Sequence, residues 1–418
     1  MTARGMVIVG AGEAGCAAAL GLRARGYEGT VTLVGDEVHE PYERPPLSKP
    51  GADGREIEAK PIITRALLDL AGISFVSGRQ AVSIDRAARS VAFRDGSTLD
   101  YDVLLLATGA SPRRPNAWPR SERIMTLRTL DDARRFHRTV RSGLRLVMIG
   151  AGFIGLELAA VARQSGALVV VVEAQDRILK RAVPAAIADI IAGRHAEAGV
   201  RIVTGARIDA VEAEPSMVTI RLASGETVQA DLVIIGVGAS PDDALARACG
   251  LACDDGIVVD AHLATSDPHI FAAGDCCRFP LQLLGGRHTR LESWRNARQQ
   301  GEHAASSMLG DNAPFNAAPW FWTDQYELGL QVTGLADPAA ESIERRLGES
   351  GIALFQLAVD GRLIAASAVG PGTSVAKEIK IAEQMILGGC RPDPVLLADS
   401  SVSLRSLMRS AQPAEGKS

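Results

Sequence analysis

Two short stretches of this chain carry the same chemistry. MVIVGAGEAG presents Gly10, Gly12 and Gly15, and LVMIGAGFIG presents Gly150, Gly152 and Gly155. Each follows an apolar run and precedes a run of small residues, the context in which G-x-G-x-x-G marks a dinucleotide site. The first glycine permits a tight turn, the second lets the backbone approach a pyrophosphate, and the third lets helix and strand pack closely. The helix that follows turns unpaired N–H groups and a partial positive charge towards the phosphates. One such loop is weak evidence. Two in the same context predict a flavin and a nicotinamide exchanging electrons in one chain.

An acid about 20 residues beyond each loop takes the ribose of an adenosine. After the first loop the apolar run TVTLV ends at Asp36 and Glu37, and Asp36 comes first. After the second, ALVVVVEA ends at Glu173. A carboxylate at Glu173 would accept both ribose hydroxyls of NADH and repel the 2′-phosphate of NADPH, although Arg177 is near.

Between the loops, DVLLLATGA runs a strand into Thr108 and Gly109, small residues that let the chain cross close to a cofactor. DLVIIGVGASPDDALA, residues 231–246, repeats that pattern. IFAAGDC places Gly274 and Asp275 at a strand end, where a carboxylate can take the hydroxyls of a ribityl chain. The segment PYERPPLSK is stiffened by Pro45 and Pro46, which keep Arg44 out of a helix and set Lys49 on a fixed frame. A lysine beside a flavin can stabilise the negative charge of its reduced ring. Glu157, just past Gly155, is its expected ion-pair partner where the two cofactors meet. A helix from about Trp294 to Leu309 would turn its positive end to the flavin.

These elements need a large α/β scaffold. The 418 residues suggest two or three domains, with 47% hydrophobic and 22% charged side chains. The net charge of −4 gives no global attraction to nucleic acid or anionic membranes. No apolar run reaches the roughly 18 residues of a membrane span, and the opening MTARGMVIVGAG reads as a first strand, not a signal peptide. Six cysteines, Cys16, Cys249, Cys253, Cys276, Cys277 and Cys390, form no C-x-x-C, and Cys249 and Cys253 read as buried thiols on one helix face. Such sparse usage predicts a reducing cytoplasm and no bound metal. The two crossings place domain boundaries at 1–110 and 233–313 for an FAD domain, 111–232 for an inserted NADH domain, and 314–418 for a small C-terminal α+β domain.

Taken together, PYERPPLSK, LLLATGA, GAGFIGLELAA, IFAAGDC, LESWRNARQQG and PWFWTDQYELGLQ resemble the FAD-dependent ferredoxin reductases of bacterial oxygenase systems. The resemblance runs to about residue 335 and more loosely to the end. It implies two Rossmann-like domains of glutathione-reductase type, hydride transfer from NADH to FAD, and single electrons passed to a 2Fe–2S ferredoxin serving a cytochrome P450 or a Rieske oxygenase. It assigns Gly10, Gly12, Gly15, Asp36, Arg44, Lys49, Val82, Thr108, Arg128, Asp275 and Trp294 to FAD. It assigns Gly150, Gly152, Ile154, Gly155, Glu157, Glu173 and Gly238 to NADH. Trp320 and Trp322 are then aromatic cover at the flavin edge and the electron exit. The alternatives are a reductase of rubredoxin or another small carrier, and an NADH-responsive signalling flavoprotein like apoptosis-inducing factor. A disulphide reductase of this fold needs two cysteines after the first nucleotide helix, and residues 37–60 contain none.

Two residues depart from the family pattern, Arg295 and Glu302, both where a ferredoxin would dock. The stretch 278–298 holds Arg278, Arg287, Arg290, Arg295 and Arg298 against Glu292, a local excess of four positive charges. An acidic ferredoxin is therefore expected to dock on Arg290, Arg295 and Arg298.

Overall fold

The computed structural model of the chain describes residues 5–49, 57–337, 340–348 and 351–410. It divides into two compact units, one of Met1–Pro46, Glu58–Ser111 and Ala239–Ala317, the other of Leu47–Ile57, Pro112–Gly238 and Ala318–Ser418.

The first unit is built on a parallel sheet in the order Ile270–Ala272, Val103–Leu106, Met6–Val9, Val31–Val34, Ile73–Val76. MVIV, VTLV and VLLL are near-continuous apolar runs because strands of a covered parallel sheet are buried on both faces. Helix Glu13–Ala24 packs against helix Trp294–Met308. Small residues make that approach possible: a Cβ on Gly301 would lie 2.2 Å from the Ala14 carbonyl oxygen. The unit also holds a three-stranded antiparallel ribbon, Ala81–Asp85, Ser90–Phe93 and Thr98–Asp100, and a small sheet in the order Ile257–Val258, Cys277–Leu281, Arg287–Thr289.

The second unit repeats the plan. Its parallel sheet runs Arg201–Val203, Leu168–Val172, Arg145–Ile149, Leu232–Ile235, Ile124–Met125. One side of that sheet buries Val147, Ile149, Val233 and Ile235 against an antiparallel ribbon bearing Val218, Ile220 and Val228. The other side is covered by helices Phe153–Gln164 and Ala185–Glu197. The C-terminal residues form an antiparallel sheet in the order Trp320–Gln325, Leu328–Gly334, Leu363–Pro371, Gly351–Leu357, Ser342–Leu347, packed by helix Ala376–Leu387. Leu330, Val332, Leu354 and Val369 of this sheet enter the same core as Leu146, Leu156 and Ile187, so the two sheets of this unit share one hydrophobic interior. That shared core brings strand Trp320–Gln325 onto helix Phe153–Gln164, with the Phe153 and Phe321 rings 5.1 Å apart.

Among the described residues no helix is long and apolar enough to cross a membrane, and no group of His, Cys, Asp and Glu could hold a metal. The cysteines correct one expectation. Helix Ala244–Ala248 ends before Cys249, so Cys249 and Cys253 share no helix face and are half-buried. Gly250, with φ +79°, has already turned the chain.

Candidate active site

The two glycine loops are near copies in their backbones. Gly10 and Gly150 have φ +114° and +98°, and a Cβ on either would strike the crossing strand, 2.1 Å from the Ala107 oxygen and 2.4 Å from the Gly236 oxygen respectively. At the third glycines, a Cβ on Gly15 would lie 1.9 Å from the Gly10 oxygen, and one on Gly155 2.4 Å from the Gly150 oxygen. The second glycines differ: a Cβ on Gly12 or Gly152 would meet nothing within 4 Å. The chain itself makes no demand for glycine there, whereas a pyrophosphate lying against the backbone does. Gly12 and Gly152 are also the helix N-caps, and neither helix has a side-chain cap. Their first-turn N–H groups suit phosphate oxygens.

In the second unit, Glu173 leaves strand Leu168–Val172 and reaches back to the glycine loop. Its Oε2 accepts the Ala151 N–H at 2.7 Å and its Oε1 the Gln175 N–H at 2.8 Å. Arg177 is spent on the chain: its guanidinium donates to the carbonyls of Ile178 and Lys180, both at 3.2 Å, and Val183 at 2.9 Å. Ile154 is exposed in the first turn of helix Phe153–Gln164. Gly238 has φ +99° and its carbonyl accepts the Arg113 N–H. The Arg128 N–H donates to Asp132, which with Thr129 caps helix Leu130–Thr139. Trp320 and Trp322 lie on one face of their strand with rings stacked 5.2 Å apart.

The same unit brings Lys49 and Glu157 together. Lys49 follows the short 3-10 helix Pro45–Ser48, and Glu157 is buried on helix Phe153–Gln164. Lys49 Nζ lies 2.7 Å from Glu157 Oε1, and it also donates to the Asp324 carbonyl at 3.2 Å. The Asp324 carboxylate is 3.7 Å away. Thr323 donates to Glu157 Oε1 at 2.6 Å and Ser48 donates to Oε2. Each carboxylate oxygen is thereby hydrogen-bonded, the condition under which a buried ion pair is tolerated. Sequence reasoning missed Ser48 and Thr323. Both stand inside motifs, Ser48 in PYERPPLSK and Thr323 in PWFWTDQ, and Thr323 was marked by strand alternation: in Trp320–Gln325, Thr323 and Gln325 point inward and Asp324 outward.

In the first unit, Glu37 accepts from Tyr42 and pairs with Arg44 at 2.8 Å, while Asp36 is exposed. That engagement favours Asp36 of the two acids as the ribose acceptor. Thr108 donates to the Asp242 carbonyl at 2.6 Å and the Gly109 carbonyl accepts the Asp242 N–H at 3.0 Å, which ties the chain crossing. Gly274 donates its N–H to Gln300 at 2.8 Å, beside half-buried Asp275. Trp294 opens its helix behind the Ser293 cap. Val82 is 45% exposed on an outer strand. Glu13, the residue after Gly12, was not singled out from sequence. Burial pushes its carboxyl up to about 7 despite nearby Arg298, with Glu43 and Glu302 adding to the rise.

The basic docking face is corrected in part. The Arg290 side chain is only 9% exposed and is paired with Glu292 and, at 3.6 Å, with Asp255. Arg278 pairs with Asp254, and Arg298 with Glu302 at 3.1 Å. Acids outside the 278–298 window pair with three of its five arginines, so Arg290 is a largely buried, paired cation and most of the local excess is neutralised.

Known proteins share both the sequence and the fold of this chain. Residues 4–301 match the family described as pyridine nucleotide-disulphide oxidoreductase, and residues 320–408 match the reductase C-terminal family. The chain is 38% identical over 416 residues to putidaredoxin reductase CamA of Pseudomonas putida, covering 97% of each chain. It is 36% identical over 407 residues to the ferredoxin–NAD(+) reductase component of the biphenyl dioxygenase system of Paraburkholderia xenovorans, covering 97% of this chain and 98% of that one. The crystal structure of the covalent putidaredoxin reductase–putidaredoxin complex superposes with a TM-score of 0.91 at 36% identity, covering 98% of this chain and 99% of that one.

Proposed function

The chain belongs to the pyridine nucleotide-disulphide oxidoreductases, in their ferredoxin reductase branch, and from that premise we propose which of its residues carry the reaction. It is an NADH-dependent FAD flavoprotein that passes electrons to a 2Fe–2S ferredoxin of an oxygenase system. When bound, the flavin accepts two electrons as a hydride and releases them singly, which the nicotinamide cannot do.

The observation that carries the assignment of roles is the Lys49–Glu157 pair. Where a disulphide reductase of this fold would carry its cysteines, this chain has PPLSK, and Lys49 from it is held at 2.7 Å by a buried carboxylate. Lys49 is the cation that stabilises negative charge on the reduced ring. Glu157 holds the ammonium in place. The loop of Gly10, Gly12 and Gly15, with Asp36, binds FAD, together with Arg44, Val82, Thr108, Gly109, Arg128, Gly274, Asp275 and Trp294. The loop of Gly150, Gly152 and Gly155, with Glu173, Ile154 and Gly238, binds NADH. Trp320 and Trp322 cover the exit of electrons. We place the work in the cytoplasm, which the sparse cysteine usage supports.

The test is cytochrome c reduction by NADH with and without a 2Fe–2S ferredoxin. A large dependence on ferredoxin is expected. A rate that ferredoxin does not change would refute the reductase role and favour a slow, NADH-responsive flavoprotein.

A further inference from the structure

Behind Glu157 the second unit contains a line of buried polar side chains that no cofactor contact explains. His195, on helix Ala185–Glu197, is 0% exposed. Its Nε2 is 2.8 Å from Gln325 Oε1. Gln325, 2% exposed, donates from Nε2 to Thr323 Oγ1 at 3.1 Å. Thr323, 1% exposed, donates to Glu157 Oε1 at 2.6 Å. At the far end, the Tyr326 hydroxyl is 3.4 Å from His195 Nδ1.

The chemistry of these groups allows one direction. Glu157 as a carboxylate only accepts, so Thr323 must give it its single proton. Thr323 then offers lone pairs, and only the amide nitrogen of Gln325 can fill one. This places the Gln325 oxygen at His195, so His195 must carry its proton on Nε2, leaving Nδ1 to accept from Tyr326. Burial lowers the His195 pKa, against the effect of the hydrogen bond that His195 donates to Gln325, and nearby Arg194 adds to the drop, which favours the neutral ring that the arrangement requires. Four donors thus point the same way, an order in which each bond polarises the next.

The outer end is built with equal care. Tyr326 opens the two-residue turn between strands Trp320–Gln325 and Leu328–Gly334, and its φ is +56°. Glycine is the usual residue for that conformation in a hairpin turn. Tyrosine occupies it here with its ring 5.1 Å from His195 and under the Arg194 guanidinium at 4.2 Å. Arg194 is itself held by Glu327 at 2.7 Å. A strained backbone residue kept for its side chain contacts marks a constraint beyond turn geometry.

We propose that the one-way chain His195–Gln325–Thr323, closed by Tyr326, fixes the Glu157 carboxylate on Lys49 and so makes His195, Gln325 and Thr323 positioning residues of hydride acceptance. The proposal rests on the reading of Lys49 given above. The three reach the cofactors only through Glu157. They act by removing the rotamer freedom of a glutamate that must hold an ammonium still, and small displacements of such groups are costly in rate.

The experiment is rapid-mixing reduction of the holoenzyme by NADH, with FAD content and melting temperature measured for every variant. Thr323→Val keeps the shape and removes the donor. It is expected to lower the limiting rate about 10-fold, the order of one hydrogen bond to a charged group, with NADH affinity unchanged, and Thr323→Ser is expected to recover most of the loss. Gln325→Glu turns the donor facing Thr323 into an acceptor and should also slow the step. In the Lys49→Ala background the Thr323→Val effect should vanish, because both act through one pair. Nitrogen NMR of histidine-labelled protein should find His195 neutral and protonated on Nε2 at pH 7. A Thr323→Val rate within a factor of two of wild type, an effect that simply adds to that of Lys49→Ala, or a proton on Nδ1 would each overturn the proposal. If Lys49→Ala itself reduces at the wild-type rate, the reading of Lys49 fails instead, and the NMR still decides the direction of the chain.

Discussion

Replacing Glu173 with alanine removes a carboxylate whose oxygens are fixed by the Ala151 and Gln175 N–H groups at 2.7 and 2.8 Å. An anchored acid at the end of the strand after a glycine loop is where the adenosine 2′- and 3′-hydroxyls are taken. Each hydroxyl hydrogen bond to a charged acceptor contributes about 1.5–3 kcal/mol. A 2′-phosphate forfeits one such bond and sets charge against charge. At about 4 Å and an effective dielectric near 20, the repulsion is about 4 kcal/mol per pair of unit charges. Half-exposure and salt reduce it to about 1–2 kcal/mol. The sum, about 3–4 kcal/mol, corresponds to roughly 10²- to 10³-fold in kcat/KM in favour of NADH.

For Glu173→Ala the two parts separate. NADH should lose its two hydroxyl bonds, about 3 kcal/mol or more, and so at least about 10²-fold in kcat/KM. NADPH should gain no more than the relieved repulsion, because Arg177 is tied to three carbonyls and cannot turn to the phosphate. The preference should therefore fall to within about 10-fold without reversing. Steady-state rates with ferricyanide as acceptor and each nicotinamide as donor provide the measurement. Equal kcat/KM values for the two donors in the wild type, or a preference above 10² that survives in Glu173→Ala, would refute the reasoning.

Lys49→Ala should keep FAD and slow its reduction by NADH on the order of 10²-fold; an unchanged bleaching rate would place Lys49 outside the reaction. Arg295→Glu and Arg298→Glu should raise the apparent KM for an acidic ferredoxin and flatten its salt dependence while flavin reduction stays normal. Arg290→Glu should act differently, lowering the melting temperature by several degrees, because it sets a third acid against Glu292 and Asp255 in a largely buried place; a stable Arg290→Glu protein with impaired ferredoxin kinetics would return Arg290 to the docking face. Glu13 sets a pH dependence. Its carboxyl is raised from 4.5 to about 7, so between those values the folded chain holds a proton that the unfolded chain has released. Its contribution is fully present below pH 4.5 and is lost as pH rises through 7. Glu13→Gln should flatten the melting temperature of the FAD-free protein across that window, and an unaltered slope would reject the assignment.

What could be read from the residues alone was whatever is written in consecutive positions. Gly10, Gly12 and Gly15 declare their roles by spacing, because a turn, a close approach and a helix contact fall at fixed offsets. The apolar runs MVIV and LVVVV declare covered parallel strands in the same way. Charge was less legible. Arg290 looks like part of a basic surface until Asp255, 35 positions earlier, is folded against it. A sum over a sequence window counts neither partners nor burial, and the arginines of 278–298 lose most of their excess to acids outside it.

The hardest residues to foresee are those whose function is to hold another side chain. Lys49 and Glu157 are 108 positions apart, yet each sits in a motif that suggests a cofactor. His195 sits in no motif. It lies in the last turn of AAIADIIAGRHAE, where a buried histidine reads as packing. Its meaning depends on Gln325, 130 positions away, and on the strand alternation that turns Thr323 and Gln325 to the same side. A hydroxyl and an amide have no charge to announce them, and a neutral buried imidazole has given its charge up. Such groups are selected by the direction in which each can donate, a property of the assembled line and not of any member. The carboxylate at one end sets the proton of Thr323, Thr323 sets the orientation of Gln325, and Gln325 sets the tautomer of His195. Only a fold that lays strand Trp320–Gln325 on helices Phe153–Gln164 and Ala185–Glu197 makes that order readable.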